Sequence, residues 1–285
     1  MAFNTKIIST LIAALLISCT TTTPTSPLKS ALTFYASFDE GVNADFALGD
    51  ANMYTASSRR ALDSASIGMN NPDHSILANE GVVGDAFKFG AKSSTVVFYK
   101  SKDNINHSTQ NWSGSISFWL RLDPATDLEP GFTDPIQVTD TRYDDAAIWV
   151  DFTRENPRNF RMGILGDQVE WHKDTVATSR NEEYEKRLVT IPEPPFSKDA
   201  WTHIVLTYEA LGTSNSVSTM YMNGINVGEV RGIDDPFTWD VEKSNIYLGL
   251  SFIGLMDELA IFNRTLTADQ VAELYALENG IKSIL

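Results

Sequence analysis

The sequence predicts an all-β protein, a two-sheet antiparallel sandwich closed by a short C-terminal helix. Three observations predict it. Short runs of alternating apolar and polar residues recur along the chain, with turn residues between them. Asn223-Gly224 stands between the arms MYM (Met220 to Met222) and INV (Ile225 to Val227), the strongest short hairpin signal. One helical start stands near the end: Thr267 and Gln270 fit a capping box, and Leu266 can staple onto Val271. Gly280 is expected to end that helix. Many short strands with one terminal helix bury their apolar faces best as two packed sheets.

The elements follow in order. Leu32, Phe34, Ala36 and Phe38 alternate with Thr33, Tyr35, Ser37 and Asp39, which gives an opening strand. Residues 41–82 are polar and weakly patterned and read as a long loop that covers a site or a sheet edge. Further strands are expected at 86–89, 95–99, 116–122, 147–152, 159–165, 169–172, 188–191, 202–208, 219–222, 226–230 and 245–249. Pro192 to Pro195 reads as a loop inside the domain, because strands lie on both sides of it. In the closing strand, Leu255, Asp257, Leu259 and Ile261 fall on one face by alternation. That sets a carboxylate in a row of aliphatics, so Asp257 needs a cation or a cluster of donors.

The start of the chain reads as an address. Lys6 precedes an apolar run from Ile7 to Ile17 that is too short to span a bilayer as a helix, and residues 1–18 read as a cleavable signal. Leu16-Ile17-Ser18-Cys19 resembles a bacterial lipobox, which implies cleavage before Cys19 and lipidation of it. Residues 19–30 are expected to form a Thr/Ser/Pro tether, with the domain at 31–285. Thr20 after the cysteine favours the outer membrane or cell surface of a bacterium. Cys19 is the only cysteine, so the remaining body has no disulfide and relies on its core.

The formal charge is −15, and near −16 without the segment carrying Lys6, with 21 basic against 37 acidic residues. No basic patch is visible, which argues against a nucleic-acid partner. The acidity suits a soluble, outward-facing protein.

FYASFDEG (Phe34 to Gly41), GDAFKFG (Gly84 to Gly90), SGSISFWLRL (Ser113 to Leu122), WTHIVLTYE (Trp201 to Glu209), MYMNGINVG (Met220 to Gly228), IYLGL (Ile246 to Leu250) and FIGLMDELAIF (Phe252 to Phe262) are similar, in order, to strands of laminin-G-like, concanavalin A-like jelly-roll domains. The resemblance spans Leu32 to Leu277 and implies a jelly-roll sandwich. It also implies a structural Ca2+ tying the opening strand to the closing one. The matching positions are Asp39, backbone near Gly41, and Asp257, with Glu40 and Glu258 beside them.

Carbohydrate sites need aromatic platforms and planar polar side chains. Trp149 and Asp151 share a strand face, Arg161 lies on the next strand, and Trp171, Arg142 and Tyr143 are near in sequence. These six form the candidate ligand set; Asp144, Asp145 and His172 lie close by, and Trp239 is a separate loop aromatic. Trp119 and Trp201 are expected in the core. No E-x-D-x-x-E, H-E-x-x-H or nucleophile elbow occurs, the run Glu182 to Glu185 reads as a solvated loop, and His203 reads as structural. The expectation is therefore a lipid-anchored, exported, non-catalytic binder of a polysaccharide or glycoconjugate, touching the membrane only through its anchor. The alternatives are a polysaccharide lyase or hydrolase using Tyr143, His172 or Arg161, and an adhesive envelope module.

Overall fold

A computed structural model describes residue 1, residues 26–172 and residues 182–285. The export segment with Lys6, the lipobox with Cys19, and the tether as far as residue 25 lie outside the described residues.

In chain order the strands are β1 (Leu32–Ala36), β2 (Phe46–Ala47), β3 (Tyr54–Ala56), β4 (Ser66–Ile67), β5 (His74–Leu77), β6 (Ala86–Phe89), β7 (Val96–Lys100), β8 (Trp112–Arg121) and β9 (Thr133–Thr139). They continue as β10 (Ala147–Phe152), β11 (Phe160–Leu165), β12 (Leu188–Ile191), β13 (Thr202–Leu211), β14 (Val217–Met222), β15 (Ile225–Arg231), β16 (Asn245–Leu250) and β17 (Gly254–Phe262). The helices are α1 (Pro27–Ala31), α2 (Gln168–Trp171), α3 (Glu182–Glu185) and α4 (Ala268–Tyr275).

The strands form two antiparallel sheets. One runs β15-β14-β13-β8-β17-β1-β2, with β6 also pairing β17 and β5 pairing β6. The other runs β12-β11-β10-β9-β16-β7-β3-β4. Their facing surfaces interdigitate through Phe34, Phe118, Ile204, Leu206 and Ile261 from the first and Val97, Ile136, Ile148, Val150 and Ile246 from the second. The first and last long strands lie side by side, with Tyr35 opposite Ala260. This is the jelly-roll sandwich expected.

The hairpin between β14 and β15 turns at Asn223 (φ 50°) and Gly224 (φ 79°), the left-handed pair that matches strand twist. The capping box at Thr267 and Gln270 is present, and Leu266 and Val271 meet in one cluster. That cluster coats the outer face of the first sheet: α1 and α4 lay Leu28, Val271 and Leu274 over Tyr35, Val205, Tyr221 and Phe262. On the outer face of the second sheet, α2 and α3 pack Trp171 and Tyr184 over Ala147, Trp149 and Leu165, and the cleft described below lies beside them.

Several expectations are corrected. Residues 27–30, placed with the tether by composition, belong to α1, and Leu28 is fully buried. The weakly patterned stretch 41–82 holds β2, β3, β4 and β5, strands too short for alternation to register. The strand β9 was not readable, and 169–172 falls in α2 and its cap rather than a strand. Helix α4 ends at Tyr275, and Gly280 instead starts a 3-10 turn at Ile281–Ile284 with φ 62°. Trp119 and Trp201 are half-buried, whereas Trp112 is a core residue.

The closing strand departs most from simple alternation. Asp257 pairs with Trp119 and Ala260 with Ser117, so β17 carries a bulge, with Glu258 at φ 52°. The bulge changes the parity of the strand. Met256, Leu259 and Ile261 face the sandwich core, while Ala260 and Phe262 join the cluster under the helices. Asp257 therefore does not share a face with Leu259 and Ile261.

Candidate functional site

On the outer face of the second sheet, β9, β10 and β11 meet α3 around an open cleft of about 840 Å3. Alternation along β10 sends Ile148, Val150 and Phe152 into the core and leaves Trp149 and Asp151 on the cleft side. In the β10–β11 register, Trp149 lies opposite Gly163 and Asp151 opposite Arg161. Of the six candidate ligand residues, Trp149, Asp151, Arg161 and Tyr143 line the cleft, while Trp171 and Arg142 do not.

Trp149 forms part of the floor and is only 2 % exposed. Its indole lies over Gly163, where an added Cβ would sit 2.2 Å from the ring. Its Nε1 donates to the Tyr143 carbonyl at 2.7 Å, which fixes the ring. Trp171 packs behind it with Tyr184 and Leu188. The cleft rings with the most exposed surface are instead those of Phe132, 45 % exposed, and Tyr143, 40 % exposed. The Arg161 and Arg154 guanidiniums lie 5.1 Å and 5.9 Å from the Phe132 ring centre.

Asp151 and Arg161 form a two-pronged pair: Nε donates to Oδ1 at 2.8 Å and Nη2 to Oδ2 at 2.5 Å. Burial pushes the Asp151 carboxyl above its ordinary range, and Arg161 opposes that rise. Asp134 also lines the cleft; burial first, then the Asp151 carboxylate, push its carboxyl well up, against Arg59 and Arg161. Arg154, Glu155 and Glu185 complete the charged lining.

Arg142 lies outside, pairing with Asp144 at 2.9 Å and donating to Gln168. Asp145 accepts from the Gln168 backbone N–H at 2.8 Å, and His172 caps α2, so these groups shape the neighbouring loop. Trp239 is buried against Trp112 and His107 and donates to the Ala146 carbonyl.

Sequence reasoning missed Phe132, Asp134, Arg154, Glu155, Tyr184 and Glu185. Val150 pairs with Ile136 but Phe152 with Thr133, so β9 bulges and turns Asp134 out of the parity of Ile136 and Val138. The run Glu182 to Glu185 is a helical turn that buries Tyr184 beside the cleft, rather than a solvated loop. Apolar Tyr184 inside an acidic run was the available signal.

Asp39 and Asp257 meet through a loop rather than through each other. Asp257 Oδ2 accepts from the N–H groups of Val82 at 2.6 Å and Val83 at 3.3 Å, and Oδ1 accepts from Glu258 N–H at 2.8 Å. Asp39 Oδ1 accepts from Asp85 N–H at 2.8 Å. Gly84 lets that carboxylate close in: it has φ 67°, and a Cβ there would lie 2.0 Å from Asp39 Oδ1. Glu258 accepts from the Tyr35 hydroxyl and, at 2.7 Å, from Ile281 N–H. Burial, helped by the Glu258 carboxylate, pushes Asp257 up to about 8; burial also pushes Glu258 up to about 7.

These acids point at backbone donors, and among the described residues no three His, Cys, Asp or Glu side chains are placed to hold a metal. In the set Asp39, Gly41 and Asp257, from which the family resemblance implied a structural Ca2+, both carboxylates are thus already engaged by backbone N–H groups without an ion. The melting temperature is expected to move by less than about 1 °C when EDTA replaces excess Ca2+, because a ligand stabilises only in proportion to its binding. A drop of several degrees in a thermal scan would restore the ion.

His203 is buried in the first sheet, its Nε2 2.8 Å from Ser117 Oγ, and burial holds its pKa down to about 3. It stacks on Trp119 at 4.6 Å. The structural reading of His203 agrees with this packing.

A family model described as "Concanavalin A-like lectin/glucanases superfamily" (Laminin_G_3) matches residues 98–272. The chain belongs to the Laminin_G_3 family. The match runs from within β7 to within α4, and so includes β9, β10 and β11 of the cleft. Among solved structures, this Laminin_G_3 chain is similar to domain 4 of AbnA, a GH43 extracellular arabinanase from Geobacillus stearothermophilus, in complex with arabinotriose. That pair has 15% identity and a TM-score of 0.50, covering 85% of this chain and 97% of that one. It is also similar to the binding domain of botulinum neurotoxin DC in complex with SialylT, with 11% identity and a TM-score of 0.55 over 90% of this chain and 52% of that one. The botulinum neurotoxin serotype G binding domain gives 14% identity and a TM-score of 0.52 over 86% and 50%. The chain spans about half the length of those toxin domains. At these identities the likeness is one of fold. No curated protein matches.

Proposed function

We propose that this chain is an exported, lipid-anchored protein that binds extracellular carbohydrate, without catalysis, in the cleft of the second sheet. One observation carries the reading: an open cleft of about 840 Å3 sets the exposed rings of Phe132 and Tyr143 beside Asp134, Arg154 and Glu155. Apolar C–H faces of a sugar stack on such rings, and its hydroxyls bond to planar charged groups. The printed ligands of two fold neighbours, arabinotriose and SialylT, support the same class of ligand.

Affinity gels and calorimetry against a polysaccharide panel test it. Phe132→Ala and Tyr143→Ala are each expected to weaken binding by about tenfold or more, in the range of one lost aromatic contact. Both rings are exposed, so folding is expected to survive. Unchanged affinity in both variants would remove the cleft from consideration.

The anchor rests on the sequence, Leu16 to Cys19 ending the apolar run. Cys19→Ser is expected to abolish labelling by radioactive palmitate and to move the protein from the membrane to the soluble fraction. Continued labelling would refute it.

A second reading, a polysaccharide-cleaving enzyme, is favoured by one observation: Asp134 and Asp151 are two carboxyls in one cleft with raised pKa values. Against it, both Asp151 oxygens are engaged by Arg161. New reducing ends or unsaturated products would decide for the enzyme.

A further inference from the structure

We infer that the cleft selects non-acidic glycans, and that Asp134, Glu155 and Glu185 turn away chains bearing carboxylate or sulfate groups. This rests on the carbohydrate reading of the same cleft.

Among the described residues, six charged side chains line it: Asp134, Asp151, Arg154, Glu155, Arg161 and Glu185. Asp151 and Arg161 engage each other through both oxygens and two of the three guanidinium nitrogens. The fork of Arg161 is therefore not open to a second carboxylate, although Arg–carboxylate forks are the strongest acid readers a protein has. Among the described residues, Asp134, Glu155 and Glu185 form no ion pair, and the single remaining guanidinium, that of Arg154, is unpaired and lies by Phe132. Three acids thus face one cation.

The surroundings reinforce the sign. Arg59, the other cation acting on Asp134, donates to Gln137 and to the Thr141 carbonyl and stacks on Tyr247 at 4.4 Å. Burial and Asp151 still hold the Asp134 carboxyl well above its usual range. A place that resists ionising its own acid resists an incoming anion for the same reason. The chain as a whole carries −15, which opposes approach of a polyanion from a distance. A hydroxyl suits the site in either state of Asp134: an ionised acid accepts from it, and a protonated acid donates to it.

The test is affinity electrophoresis of the full chain through gels holding arabinan, xylan, galactan and mannan, or polygalacturonate, alginate and chondroitin sulfate. Retention is expected on at least one neutral polymer, with every acidic polymer at least about tenfold weaker at physiological salt. Glu155→Gln with Glu185→Gln, both exposed positions, is expected to raise retention on acidic polymers by about tenfold while neutral retention falls or holds. An acidic polymer retained as strongly as the best neutral one overturns the inference and leaves the carbohydrate reading standing. Acidic retention unchanged in the double variant overturns the role given to these carboxylates. Retention on no polymer at all overturns both.

Discussion

Replacing Asp257 with alanine is expected to lower the melting temperature by about 10 °C. The carboxylate accepts three backbone N–H groups, from Val82, Val83 and Glu258, in a fully buried position. An orphaned buried donor costs about 1–3 kcal/mol, and the loss of two or three gives about 3–5 kcal/mol in all. A domain of this size loses about 2–4 °C per kcal/mol. Asp257→Asn keeps one acceptor oxygen and is expected to lose about half as much. Calorimetry of both variants checks this; a loss below about 2 °C for alanine would mean that water replaces the carboxylate at no cost.

The same acids set the direction of pH dependence. Asp257 at about 8 and Glu258 at about 7 sit above the ordinary carboxyl range. The folded chain therefore holds protons that the unfolded chain has released, and stability falls as pH rises. The contribution is complete below about pH 4 and is lost as pH passes through 7 and 8. A higher melting temperature at pH 5.5 than at pH 8.5 is expected, with a flatter profile for Asp257→Asn. A profile that rises with pH would show that the donors outweigh burial.

Arg161→Met is the second large effect. It leaves Asp151, 4 % exposed, with its main partner gone. Breaking such a pair from one side costs about 3–5 kcal/mol, whereas replacing both partners with apolar groups is close to neutral. The double variant Asp151→Leu with Arg161→Met is therefore expected to recover most of the stability that the single variant loses. Chemical denaturation of the four proteins in the cycle measures this. Equal losses in the single and double variants would show that the pair holds the floor of the cleft by shape rather than by charge. Glycan affinity is expected to fall in both, because Arg161 also lies against Phe132.

Fold and site differ in how far local chemistry reaches. The hairpin at Asn223-Gly224 and the cap at Thr267 follow from signals a few residues long, whereas the pairing of first and last strands is implied only by the family resemblance. The parity of β17 follows from neither, because nothing in Met256 to Ile261 announces that Glu258 will take a left-handed φ. The reason is tertiary: the bulge lets Glu258 reach both Tyr35 and Ile281. The site shows the same division. Trp149, Asp151 and Arg161 were legible because they sit on regular strands in register. Phe132 and Asp134 were not, since one precedes β9 and the other is turned outward by a bulge. Trp149 was found, but as an expected platform; only the Gly163 hollow beneath it and its bond to Tyr143 show that it is a support.

The coat over the first sheet has a geometric consequence. Helix α1, where the described body begins, and α4 with the final turn lie together on the side of the sandwich away from the cleft. Arg264 reinforces this by donating to the Pro27 carbonyl. The described body therefore begins, at residue 26, on the face of the domain opposite the cleft. With the proposed lipid anchor, a long polymer would lie across the cleft on the face opposite the point where the chain enters the domain.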